Sequence, residues 1–434
     1  MHPSCPWHRS KVTLLHYDPV HIAGSGYRGS VPSTAANDRP DPGSERGTDT
    51  SGGMPRERVL LDAVRAPIHP AARETLLAAV DAGWADPRRL HVEGRRARRL
   101  LDQGREVLAD GLGVRPDELS LHALGPQALL VAVDGLRHAR RRTGEVLLAS
   151  AVELEVLLLA EPVHVVPVDG LGRVDPAAYA AALTAGGIAA AALQHANAEL
   201  GTLQPVGPVH ELARAAGVPL LVDATATLGR VAPPAAYDVL VGDATSFSGP
   251  PLGLLAVRIG TRFAPPGPAR EAEHGRALAP PWVPLVLAAA EAWRQVAVRR
   301  EADEALARGL TDRLRAAAAG VPGVVAVGDP DARLPHVVTL VVDDVDGEPL
   351  AEELDRRGFA VASGSACSAS PLHPSHVLTA VGIVAPGQTR PGNLRVTLPV
   401  TAVAPDLGDG VDRLCRELGP AVESVRGRVG GVLR

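Results

Sequence analysis

The chain has 434 residues, 46% of them hydrophobic and 21% charged, with a formal net charge of −5, enough apolar material for two sizeable cores. With no basic block and only 3% aromatic residues, it excludes a nucleic-acid or anionic-membrane footprint. Its three cysteines, Cys5, Cys367 and Cys415, make neither a disulfide framework nor a metal-ligand spacing, which points to a reducing cytoplasm and no bound metal.

Residues 1–53 are rich in Gly, Ser, Pro and Asp and lack hydrophobic periodicity, so they read as a disordered tail. No apolar run of signal-peptide type is present there. The only methionines are Met1 and Met54, so a translation start at Met54 is the alternative reading. The only lysine, Lys11, falls in this tail.

From Arg58 onward helices and strands alternate. Apolar periodicity predicts helices over 71–82, 94–108 and 209–216 and short strands over 146–149 and 163–168. The charge-free stretch 177–198 approaches the length of a membrane span, but Gly186-Gly187 and Gln194-His195 divide it into a helix, a turn and a buried strand. Val218-Pro219-Leu220-Leu221-Val222 predicts another buried strand, ending at Asp223. Such alternation indicates a mostly parallel α/β sheet, whose chemistry gathers at the carboxyl ends of its strands.

A long helix over 280–298 is expected to leave this sheet, with a second helix over 304–318. Beyond residue 324 the order is strand 337–342, helix 347–357, strand 360–362, a small-residue loop, helix 375–381, strand 393–398 and helix 406–418. This is the pattern of a compact α+β unit. Cys415, beside Leu414 and Leu418 on the last helix, reads as core. Cys367 sits instead in Ser363-Gly364-Ser365-Ala366-Cys367-Ser368-Ala369-Ser370, a setting for an accessible thiol rather than a packed one.

That loop resembles the active-site loop of cysteine desulfurases, enzymes of the class V aminotransferase group that use pyridoxal phosphate (PLP). Further segments resemble the family in the same order: Asp86-Pro87 with Leu90-His91, Gly94 and Ala97-Arg98; His195-Ala196-Asn197-Ala198-Glu199-Leu200-Gly201; Val222-Asp223-Ala224-Thr225; Ser246-Phe247-Ser248-Gly249; and Leu394-Arg395-Val396-Thr397-Leu398. The resemblance implies an α/β class V aminotransferase-like fold, with a large mostly parallel-sheet domain (71–309) and a smaller α+β domain (55–70 and 310–434). It implies that Asp223 pairs with the pyridine nitrogen of PLP, that Ser246 and Ser248 belong to the cofactor site, and that Arg395 grips the substrate carboxylate. Cys367 is then the nucleophile that becomes a persulfide.

The family's Schiff-base segment reads Ser-x-Ser-Gly-His-Lys, whereas here Ser248-Gly249 runs straight into Pro250-Pro251-Leu252-Gly253. The lysine is lost with its histidine neighbour. The phosphate-binding turn aligns with Leu124-Gly125-Pro126-Gln127, where Pro126 offers neither a hydroxyl nor an N–H. The ring-stacking histidine aligns with Leu154 or, one register away, Glu153. Ala198 and Ala226 stand where the family has an asparagine and a glutamine, and 276–280 lacks the threonine of the arm that reaches a partner's phosphate. The expectation is therefore a PLP that is not held covalently, or no PLP.

Three readings stay open on the sequence. The first is a degenerate desulfurase acting as a scaffold or regulatory partner, as a homodimer or with an active paralogue. The second is a PLP-independent persulfide carrier that uses Cys367 and serves a sulfur-acceptor protein. The third is an active desulfurase that holds PLP in a non-standard way, with Lys11 as the only side-chain amine. No phosphate fingerprint of a nucleotide-binding module is present.

Overall fold

The structure is a computed structural model and describes residues 58–65, 67–82, 85–267, 271–363, 375–384 and 392–432. The elements begin with β1 (Val59–Leu60), α1 (Pro70–Asp81), α2 (Val92–Leu112), β2 (Leu119–His122) and α3 (Gly125–Arg140). Next come β3 (Val146–Ser150), α4 (Glu155–Leu158), β4 (Val163–Val166), α5 (Pro176–Leu183), β5 (Ile188–Gln194), α6 (Val206–Ala215), β6 (Leu220–Asp223) and β7 (Val239–Asp243). A 3-10 turn (Ala244–Phe247) leads into β8 (Gly253–Val257), and α7 (Val283–Ala319) follows. The remainder is β9 (Val324–Val327), β10 (Val337–Val342), α8 (Gly347–Arg356), β11 (Phe359–Ala360), β12 (Ala362–Ser363), α9 (His376–Ala380), β13 (Gly392–Thr397) and α10 (Leu407–Val432).

Seven strands form one sheet in the order β2-β8-β7-β6-β5-β3-β4. Only β8 runs against its neighbours, pairing antiparallel with both β2 and β7. At its centre β5 is buried at every position. Ala-rich Ile188–Gln194 would be a weak strand on a solvated face, but a strand covered on both sides needs only to be apolar and small. The second sheet, β12-β13-β10-β9, is antiparallel throughout.

Helix α7 serves both cores. Its first half, through Val283, Val286, Trp293 and Val296, packs in the core of the larger sheet, and Ala307, Leu310, Leu314 and Ala318 pack in the core of the smaller one. Trp293 meets Phe247 edge-on at 5.1 Å, which fixes the helix against the turn that ends β7.

The expected helices 280–298 and 304–318 are thus one. Between its two apolar halves the exposed stretch is held by Arg299–Asp303 and Arg300–Glu304 pairs at i,i+4. The expected strand 360–362 is split into β11, parallel to β1, and β12, antiparallel to β13. The last helix runs on past Pro420 because Ala421, Val422 and Val425 are buried against the smaller sheet. Strands β2, β7, β8 and β9, of 4, 5, 5 and 4 residues, carry too short a pattern to stand out in sequence, and the 16-residue α3 was not predicted although Ala128, Leu129, Ala132, Val133 and Leu136 make its buried face. No described helix is long and apolar enough to cross a membrane.

Candidate active site

Four parallel strands bring polar residues to the carboxyl edge of the large sheet. Asp223 ends β6 directly beside Gln194 at the end of β5, and Asp243 ends β7. Beyond β3, Glu153 is fully buried. Its Oε1 accepts from Ser150 Oγ at 2.7 Å and from the Gln194 N–H at 2.9 Å, while Oε2 has no partner among the described residues. Burial pushes the Glu153 carboxyl up to about 8, against donated hydrogen bonds, with the Asp223 charge adding to the rise.

Asp223 is buried, and its Oδ1 accepts from the Thr225 N–H at 2.8 Å, the local bond of an Asx turn. Desolvation raises it to about 6, and the nearby Asp243 charge pushes the same way. Next to it, His195 is driven down to about 4 by burial and shares a 3.0 Å hydrogen bond between Nδ1 and Thr227 Oγ1. It is a neutral imidazole at neutral pH.

Asp243 is held by three hydrogen bonds. Oδ1 accepts from the Thr245 N–H at 2.9 Å and Thr245 Oγ1 at 2.7 Å, and Oδ2 accepts from the Gly125 N–H at 2.7 Å. The turn after it carries Ser246, whose Oγ donates to Asp243 O at 2.7 Å. Ser248 follows in the left-handed region at φ 58°, fully buried, and its Oγ has no partner among the described residues. Its carbonyl accepts from the His69 N–H at 2.7 Å, which ties the turn to the start of α1.

Arg395 lies on β13 of the smaller sheet, paired with Thr339 on one side and Ala362 on the other. The guanidinium is buried, and Nη2 stands 3.9 Å from Asp62 Oδ1, an ionic contact too long for a hydrogen bond. Arg395 Nε and Nη1 have no partner among the described residues. Arg230 links this strand to the Ser246 turn, donating from Nε to Ser246 O at 2.8 Å and from Nη1 to Leu398 O at 3.3 Å.

Glu199 joins the two sheets. Its Oε2 accepts from Ser375 Oγ at 2.8 Å, and its backbone carbonyl accepts from Thr339 Oγ1 at 2.5 Å. Ser375 is the N-cap of α9, and the next residue, His376, places Nε2 2.9 Å from the Glu153 carbonyl.

The "Aminotransferase class-V" family model matches residues 81–249 and 273–403. A cysteine desulfurase of Cereibacter sphaeroides is 31% identical over 385 residues, covering 85% of this chain and 97% of the relative. An IscS-like cysteine desulfurase of Mycobacterium tuberculosis is 31% identical over 387 residues, covering 82% and 94%. Among solved structures a NifS-like protein superposes with a TM-score of 0.75 at 20% identity, over 84% of this chain and 99% of its own.

The chain belongs to the class V aminotransferase family, among the cysteine desulfurases. This family is PLP-dependent. The family match breaks after Gly249, where the sequence departs from the Ser-x-Ser-Gly-His-Lys pattern, and resumes at residue 273.

Of the residues singled out in sequence, Asp223, Ser246 and Ser248 lie at the strand ends of the large sheet or in the turn after β7, and Arg395 lies on the smaller sheet. Cys367 and Lys11 fall outside the described residues. Cys415 is half-buried against the smaller core, with its thiol pushed up by burial. The sequence assigned no role to Asp243, nor to Glu199 within the matching segment from His195 to Gly201. Asp-Ala-Thr after a strand is a turn-capping signal, so the local bonds of Asp243 were legible; its bond to Gly125, 118 residues away, was not.

Proposed function

We propose that this member of the cysteine desulfurases has lost PLP-dependent catalysis and works as a pseudoenzyme, a scaffold or partner in sulfur mobilisation. The observation that carries this reading is the state of the cofactor end of the site. No lysine follows residue 11, so no described side chain can form a Schiff base. Pro126 lacks an N–H, and the Gly125 N–H is already bound to Asp243. Gly253 packs against the same turn so closely that a Cβ there would run into the Leu124 carbonyl oxygen and stand 3.0 Å from Gly125 N. With the Gly125 N–H engaged and Pro126 without one, the start of this turn does not offer a phosphate dianion the donors it needs.

On this reading Asp223, Ser246 and Ser248 are remnants of a cofactor site. Arg395 keeps the means to hold a carboxylate, and Cys367 is the thiol on which any sulfur transfer would turn. The chain divides into a large domain over 71–309 and a smaller one made by 55–70 with 310–434. It acts in the cytoplasm as a dimer, with itself or with an active paralogue. The isolated full-length protein, supplied with PLP and cysteine, is expected to release no sulfide above a protein-free control. Sustained cysteine-dependent release that disappears in Cys367→Ala would overturn the proposal.

A further inference from the structure

The seven-stranded sheet ends on β2, which pairs with β8 alone among the described strands. An edge strand presents backbone donors and acceptors that another strand can take. The register says which groups those are. The Val257 N–H donates to the Glu118 carbonyl at 3.0 Å, and these two residues extend the ladder that sets Leu119 opposite Ala256. Hydrogen-bonded positions alternate along an antiparallel pair. Ser120 and His122 therefore turn their backbone groups to β8, and Leu119 and Leu121 turn theirs outward.

An ion pair meets these outward groups. Arg105 of α2 donates from Nη1 to the Leu119 carbonyl at 2.9 Å, and Glu273 Oε2 accepts from the Leu121 N–H at 2.7 Å. Two parallel bonds of 2.6 Å, Nη1 to Oε2 and Nη2 to Oε1, join the side chains, and both are buried. The pair thus offers β2 one donor and one acceptor two residues apart, as a neighbouring strand would. Its carboxylate is delivered by strained backbone. Glu273 and His274 are both left-handed, at φ 52° and 57°, ahead of Gly275 at 81°. Non-glycine residues persist there only where their surroundings over-determine them. The ion pair does so, together with Arg276, whose Nη1 donates to the Glu118 carbonyl at 2.6 Å and lays the same turn along β2.

The partner that this arrangement keeps out is a second copy of the chain. Across a two-fold axis at Ser120, each Leu121 N–H would reach the Leu119 carbonyl of the other copy, so the edge is complementary to itself. We propose that the Arg105–Glu273 pair is a surrogate strand: it holds the 273–276 turn over β2 and keeps two copies from joining into one continuous sheet. The proposal is independent of the loss of PLP chemistry argued above and of any dimer formed through another face.

The test is the molar mass of the full-length protein by sedimentation over a wide range of concentration, each variant compared with wild type at the same concentration. Arg105→Met with Glu273→Met removes the pair without leaving one buried charge behind. This double variant is expected to rise to about twice the wild-type mass or more as concentration increases. Adding Ser120→Cys to it puts a thiol on the two-fold axis, where facing Cα atoms of paired strands stand about 4.5 Å apart, within disulfide reach. Cross-linking on mild oxidation is expected there, beyond that of the double variant alone, and not for Ser120→Cys in otherwise wild-type protein. Glu273→Gln keeps the shape but not the charge and covers the case in which the double variant does not fold; it is expected to associate in the same way. A folded variant with the wild-type mass at every concentration would overturn the proposal. So would association without the cross-link at residue 120, or loss of folding in both variants, which would leave the pair a support of the fold and nothing more.

Discussion

The two sheets present buried charge in opposite states. At the carboxyl edge of the seven-stranded sheet, Asp243 has both oxygens engaged by donors from its own chain. On the four-stranded sheet, Arg395 is also buried, but among the described residues its Nε and Nη1 have no partner and its Nη2 stands 3.9 Å from Asp62. Thr397 Oγ1, two residues along the same strand, also has no partner among the described residues. In the first region Asp243 is satisfied by its neighbours, while Glu153 Oε2 and Ser248 Oγ have no partner among the described residues. The second carries the cost of buried donors that an anionic partner would relieve. On the function proposed above, the loss would be uneven: the proposed cofactor end has its Asp243 carboxylate engaged, and the proposed carboxylate-holding end keeps two donors without a partner among the described residues.

The sharpest way to break this contrast is to remove the unpaired charge. Arg395→Met combined with Asp62→Ala replaces the buried cation by an apolar chain of similar length and removes the carboxylate 3.9 Å away, whose Oδ1 is buried without a hydrogen-bond partner among the described residues. The variant is expected to be as stable as wild type or more stable by about 1–4 kcal/mol in urea unfolding. A loss of stability would show that Arg395 has a partner in the free protein.

The proposed cofactor end should answer with the opposite sign. Gly253→Ala adds a methyl against the Leu124 carbonyl, backbone that cannot swing aside, and is expected to cost about 1–3 kcal/mol. A neutral result would mean that the turn is not sealed by β8.

A smaller effect tests the acidity of the strand ends. Glu153 is raised to about 8 by burial, so the folded state holds its proton longer than the unfolded chain does. Its contribution to stability is unpenalised below the ordinary carboxyl range and is lost progressively as pH rises toward about 8. Asp223, raised to about 6, has the same sign, and His195, lowered to about 4, has the opposite one, costing stability as pH falls below the ordinary histidine value. The informative quantity is the difference between Glu153→Gln and wild type. It should move in favour of the variant by roughly 2 kcal/mol between about pH 6 and pH 8. A flat difference would place Glu153 in contact with water.

Much of the fold was readable. The apolar run before Asp223 and the Gly186-Gly187 break predicted β6, α5 and β5 because burial there is continuous and local. The single helix α7 was not readable as one, since its apolar stripe fades at Val298 and charged pairs carry it to the second core. The continuation of α10 past Pro420 was hidden for a similar reason: tertiary burial of Val422 and Val425 overrides a local helix breaker. At the site, the family resemblance pointed to Asp223 and Arg395, which the structure puts at the end of β6 and on β13, and the absence of a lysine after Lys11 was plain. The bond between Gly125 and Asp243 was not, because it depends on two residues that meet only in the folded sheet.

The measurement that bears most directly on the central claim is the visible absorption spectrum of the full-length protein after incubation with PLP and exhaustive dialysis. The account predicts a spectrum identical to that of untreated protein. A cofactor band that survives dialysis would contradict it and would mean that an amine of this chain, Lys11 or the terminus, holds the cofactor.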